Sequence, residues 1–172
     1  MPRSASLEEL ILPAWKTNAR VTQLLLAGLP ASIWDRAIPG APTRTPRMIA
    51  GHIHNARCMW VRTLGKPHGI RVPAPVDRRS VTKAELARAL RQSATAIQAL
   101  LRFGCAHDGR IPPTAAYVWR NLALDVGHVL TYFVAHEGHH RGQLALVARQ
   151  LGARLPQATS SGLWQWKPLK GR

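Results

Sequence analysis

Apolar residues recur three and four positions apart along four stretches of the chain, and no stretch shows the alternation of a strand. That spacing predicts an all-α protein. The first stretch begins near Ser6, where Ser6 and Glu9 fit a capping box, and stops at Leu29-Pro30. Pro13 lies inside it and marks either a kink or the true first turn. Ala14, Val21 and Leu25 share one face, with Asn18 among them. The second stretch opens on Thr45 as N-cap and Pro46 as first helical residue. Its stripe is Ile49, Ile53, Ala56, Trp60 and Leu64, and Gly65 stops it. The third starts at the capping box of Thr82 and Glu85, carries Leu86, Leu90, Ile97 and Leu101, and ends at Gly104. The fourth runs from about Leu122 to Leu151, with Gly152 as its stop.

Four amphipathic segments of this length predict a four-helix bundle. The connection over 66–81, with Pro67, Pro73 and Pro75, leaves room for a crossover, as does the irregular stretch around Pro112-Pro113. A chain of 172 residues suits a single domain over 1–172, with an irregular tail from about 153 that carries Trp164 and Trp166.

Composition narrows the class. The N-terminus lacks the apolar run of a signal peptide, and no run of about 18 apolar residues exists for a membrane span. Cys58 and Cys105 form neither a CxxC pair nor a disulfide framework. A soluble cytoplasmic protein is the expectation. Lys and Arg number 24 against 8 Asp and Glu, a formal charge of +16. The basic residues are scattered, and the densest local run is Arg78-Arg79. Salt-sensitive adhesion to anions is expected, but specific nucleic-acid binding is not.

The histidines carry the candidate chemistry. With His136 at 0° and 100° per residue, Leu122, Val129, Phe133, Leu144, Val147 and Leu151 fall between about 20° and 80°. His136 and His140, one turn apart, fall at the edge and inside of that stripe, where imidazoles need partners. A divalent cation satisfies both at once. The second helix offers His52 and His54, which point too far apart to face one centre. His52 lies about 80° from the middle of its stripe and His54 about 120°. His52 is thus the inward candidate, and His54 is expected to meet solvent. Three neutral imidazoles leave a coordination position open, as in catalytic zinc sites, and ligand type also admits nickel, iron or manganese.

Two other readings of the same residues fail. His136-Glu137-Gly138-His139-His140 matches the H-E-x-x-H pattern of zinc proteases. No Asp or Glu follows Glu137 to complete such a site, and Gln143 and Leu146 stand where the extended pattern needs Gly and His. A di-iron bundle needs four carboxylates and a second E-x-x-H, which the chain lacks. Glu137 is left as a candidate base, with solvent exposure or an ion pair to Arg141 as the alternatives. Gln143 and Asn18 are candidates to orient a ligand or bound water. His128 is too far along the helix to reach the same ion, and His139 flanks the site or meets another chain.

The run His136-Glu137-Gly138-His139-His140-Arg141-Gly142-Gln143-Leu144 resembles the signature of the DinB-like superfamily. Pro46 followed by Ala50-Gly51-His52-Ile53, and the ending Gly162-Leu163-Trp164, are similar to further parts of that family. The resemblance implies a four-helix bundle with crossover connections, commonly a homodimer. It also implies a divalent metal, usually zinc or nickel, held by three histidines that match His52, His136 and His140. Members of known chemistry include thiol-dependent S-transferases and a mycothiol-dependent maleylpyruvate isomerase; others are regarded as metal-dependent hydrolases. The expectation is therefore a metal-dependent enzyme acting on a small molecule, with a low-molecular-weight thiol as cosubstrate and with Arg57 or Arg141 near the mouth to hold its carboxylates. The alternative is a non-catalytic metal- or ligand-binding stress protein with weak nucleic-acid affinity.

Overall fold

The computed structural model describes residues 4–167, and among them every regular element is helical. Helix α1 spans Leu7–Gly28, α2 Pro46–Trp60, α3 Lys83–Cys105 and α4 Val126–Gln150. A short α5, Gln157–Gly162, stands in the tail, where an irregular segment was expected.

The predicted caps form. Ser6 and Glu9 close a capping box on α1, and Thr82 and Glu85 do the same on α3. Thr45 Oγ1 accepts from the Met48 amide at the start of α2. α1 begins at Leu7, so Pro13 lies inside the helix rather than at its first turn. Trp60 hands α2 on to a π-helical turn over Val61–Gly65. The start of α4 departs from expectation: it falls at Val126, not Leu122. Asp125 caps it by accepting from the His128 amide at 3.0 Å. Leu124 is held outside the helix by its carbonyl, which accepts from the Ile111 amide.

Cross-helix bonds fix the helix order and direction. Trp15 Nε1 donates to the Ala94 carbonyl, Gln23 Nε2 to the Ala87 carbonyl and Lys83 Nζ to the Leu29 carbonyl, so α1 and α3 are antiparallel. Asn18 and Thr22 meet Glu137 and Arg141, so α1 and α4 run the same way. His52 and Trp60 meet His140 and Tyr132, so α2 opposes α4. α2 and α3 are therefore parallel, and the connection between them travels back along the bundle as a crossover. Asn55 pins it with a two-bond fork: its Oδ1 accepts from the Val76 amide and its Nδ2 donates to the Val76 carbonyl, both at 2.9 Å.

The core is in two parts. Leu25, Ile53, Leu86, Leu90, Leu144 and Val147 anchor an apolar cluster at one end. Trp15, Trp60, Leu64, Ile97, Leu100 and Phe133 anchor another at the opposite end. Between them, at the level of Asn18, Arg57, Ser93 and Glu137, lies a layer of buried polar side chains. α3 reaches the second cluster closely at Gly104, where an added Cβ would sit 2.5 Å from Val126 Cγ1 and 2.9 Å from Ile111 Cγ1. Gly104→Ala is expected to overpack that contact and lower stability by about 1–3 kcal/mol, read as a fall in denaturation midpoint.

Candidate metal centre

Each helix of the α2/α4 pair brings histidine to the polar layer. His136 and His140 sit one turn apart on α4, and His52 faces them from α2, all half-buried. Their ring centroids lie 5.3 Å (His52–His136), 4.7 Å (His52–His140) and 4.6 Å (His136–His140) apart. One ligand nitrogen from each falls within 4.8 Å of the others, a spacing that suits three donors around one ion. Among the described residues this is the one such group of His, Cys, Asp or Glu.

The rings are prepared for that role. His140 Nδ1 donates to Gln143 Oε1 at 2.8 Å, which turns the lone pair of Nε2 inward, 3.2 Å from His136 Nε2. Tyr132 stacks on His136 at 5.8 Å and 13°. Burial, and then the neighbouring His140 and His52, push His136 down to about 4. Burial is also the main cause lowering His52 and His140, with Arg44 adding to both and Arg78 to His52. All three rings are thus neutral at pH 7, with lone pairs free to bind a cation. The donor set fits a divalent metal ion: three neutral nitrogens with no carboxylate among them.

The other sequence candidates fall elsewhere. Glu137 is completely buried and faces away from the histidines. Its Oε1 accepts from Arg57 Nε and its Oε2 from Arg57 Nη2, both at 2.7 Å. Oε2 also accepts from Asn18 Nδ2 at 3.0 Å and Thr22 Oγ1 at 2.7 Å. Arg141 Nη1 donates to Asn18 Oδ1 and Thr22 Oγ1, both at 2.8 Å, and lies 3.7 Å from Glu137 Oε2. Of the open choices for Glu137, solvent exposure is excluded and the ion pair with Arg141 is present, though Arg57 is the closer partner. Asn18 belongs to this network and Gln143 to the histidine group. His128 pairs with Asp125, and His139 is exposed with its ring 5.0 Å from that of His140.

Two expectations are corrected. His54 does not meet solvent: it is fully buried, and its Nε2 donates to the Ala74 carbonyl at 2.9 Å while Nδ1 lies 3.0 Å from Ser93 Oγ. A single apolar stripe cannot describe α2, because α4 covers one side and α3 with the crossover covers another. Arg57 and Arg141 do not line the mouth; they are 1% and 8% exposed and committed to Glu137. Arg78 is the better-placed cation, since its Cγ would lie 3.0 Å from a Cβ on Gly51, next to His52. Cys58 is not part of the three-histidine group, and burial pushes its thiol up to about 11.

The sequence reading missed the wall beside the histidines. Trp60 contacts Tyr132 at 5.1 Å and Trp119 at 6.0 Å, so an aromatic path runs from half-exposed Trp119 to His136. Tyr132 could have been found from its spacing, one turn before His136.

Two outcomes follow from this geometry. Glu137→Gln removes the carboxylate from two buried guanidinium groups, and is expected to cost about 3–5 kcal/mol of stability in chemical denaturation. Because His136 binds its proton less tightly folded than unfolded, the metal-free protein is expected to lose stability as pH falls from the ordinary histidine value of 6.5 toward about 4, and to gain nothing from this group above that window. Thermal melts across pH 4–8 read the slope.

A model of the DinB family matches residues 1–168. No curated protein and no solved structure matches the chain.

Proposed function

The chain belongs to the DinB family, and on that premise we propose that it is a metal-dependent enzyme acting on a small molecule, with His52, His136 and His140 as the ligands of one zinc or nickel ion. The observation that carries this reading is the meeting of three nitrogens from two helices within 4.8 Å. A divalent ion held there would supply Lewis acidity, lowering the pKa of a thiol or water brought to it.

The chain's own residues supply the rest. Gln143 holds the His140 ring in one tautomer and orientation. Tyr132 stacks on His136 and Trp60 packs against Tyr132, which puts aromatic surface on that side of the His136 ring. The positive charges of Arg44 and Arg78 act on His52, and neither has a carboxylate within ion-pair distance among the described residues. That positive rim favours an anionic substrate, so transfer of a carboxylate-bearing thiol to an electrophile is preferred here to hydrolysis. The formal charge of +16 favours a second reading, a non-catalytic binder with weak nucleic-acid affinity. DNA binding that weakens with salt but survives His136→Ala would support it.

Elemental analysis of tag-free protein is expected to find close to one zinc or nickel per chain, and far less in His136→Ala. Gln143→Leu is expected to weaken metal affinity about 10- to 100-fold in a chelator competition while leaving the fold intact. With metal loaded, a panel of small thiols and electrophiles is expected to show conjugation that His136→Ala lacks. Absence of turnover across the panel, with full metal content, would sink the transferase reading and leave the metal site standing.

A further inference from the structure

The side of α4 turned away from the histidines borders a cleft of about 890 Å³, closed on its far side by the tail. Its floor is Gly138, Gly142 and Ala145, and a Cβ added at Gly142 would meet nothing within 4 Å. The tail wall carries Trp164, 81% exposed, and Trp166. That wall is fixed to the bundle: Arg20 Nη2 donates to the Gln165 carbonyl, Thr159 packs into the space over Gly28, and Leu24 packs against Gly162.

Among the described residues, charge in the cleft is all of one sign: Arg141, Arg149 and Arg154 line it, and no carboxylate does. Among the described residues, neither Arg149 nor Arg154 has an ion-pair partner. Arg141 is the decisive group. It is 8% exposed, its Nη1 is spent on Asn18 and Thr22, and its Nη2 has no hydrogen-bond partner among the described residues. That free Nη2 lies 3.7 Å from a Cβ position on Gly138, at the cleft floor. Behind it, two buried guanidinium groups, Arg57 and Arg141, face one carboxylate, Glu137, so the polar layer holds an excess positive charge. An anion at Nη2 would neutralise it in a poorly solvated place, where the interaction is strongest.

We infer that this cleft is a second ligand site, separate from the histidines, for a small organic anion with a planar apolar body: the acid group binds Arg141 with help from Arg149 and Arg154, and the flat body lies against the tail indoles. The volume suits a ligand of that size, since small-molecule pockets span about 300–1,000 Å³. A second copy of this chain is the poorer occupant, because each copy carries a formal charge of +16 and would bring cations to cations.

The test is a fluorescence titration of the full chain with 8-anilinonaphthalene-1-sulfonate, alongside the uncharged N-phenyl-1-naphthylamine. Arg141 is left in place because it supports Glu137. The double variant Arg149→Gln/Arg154→Gln, and separately Trp164→Ala, are each expected to weaken sulfonate binding about tenfold, a loss of 1.4 kcal/mol by conversion. His136→Ala and the remote pair Arg62→Gln/Arg88→Gln are expected to leave it unchanged, and the uncharged probe is expected to bind at least about tenfold more weakly. Equal binding of both probes, wild-type affinity in the cleft variants, or equal loss in the remote pair would overturn the site. So would a dimer in sedimentation that Trp164→Ala dissolves, since a second copy would then own the cleft.

Discussion

The buried carboxylate of Glu137 is the point on which the bundle turns. It takes two bonds from Arg57 on α2, and one each from Asn18 and Thr22 on α1. Arg57 passes the connection on to α3 through the Leu90 carbonyl at 3.0 Å, and lies over the Trp15 ring at 4.9 Å. All four long helices therefore meet in a single set of charge-assisted bonds. Apolar clusters at either end tolerate small slides of one helix along another; a four-way polar junction between them does not. Shifting α2 or α4 by one turn would separate the buried charges of Arg57 and Glu137, at a cost far above the small energies that separate alternative packings.

The same junction sets the geometry of the histidines. Glu137 is the next residue after His136, and Arg141 the next after His140. Anchoring Glu137 toward α1 turns His136 and His140 toward α2, where His52 waits. The third face of the same two turns, Gly138 and Gly142, is left bare toward the tail. Seven consecutive residues thus serve three directions: the three-histidine group, a structural ion pair and a cleft. The resemblance of His136 to His140 to a protease motif dissolves here, since its glutamate is spent on holding helices together.

Much of this was legible beforehand. Caps at Ser6, Thr45 and Thr82, and the stop glycines, marked most helix boundaries, because local side-chain bonds decide them. The histidines were legible because an i, i+4 pair on an apolar stripe is out of place unless it has a partner. Position 122 was misjudged as helix because apolar spacing continues through Leu122 and Leu124, whereas pairing with residues near Ile111 wins locally. His54 was misjudged because a helical wheel knows one inside, and α2 has two. The Arg57–Glu137 pair was the least legible feature: the two residues are separated by 80 positions, and only the tertiary fold brings them together.

The Asn55 fork on Val76 bears on how such a bundle assembles. Parallel neighbours joined by a crossover ordinarily impose a slow search, since a long loop must close before any helix contact rewards it. Here the fork closes a loop of only 21 residues, and it does so with backbone-like bonds that need nothing from α3 or α4. The crossover can be laid against α2 while the rest of the chain is still unstructured. α3 then starts from a chain already held against α2 at Val76, six residues before its cap at Thr82.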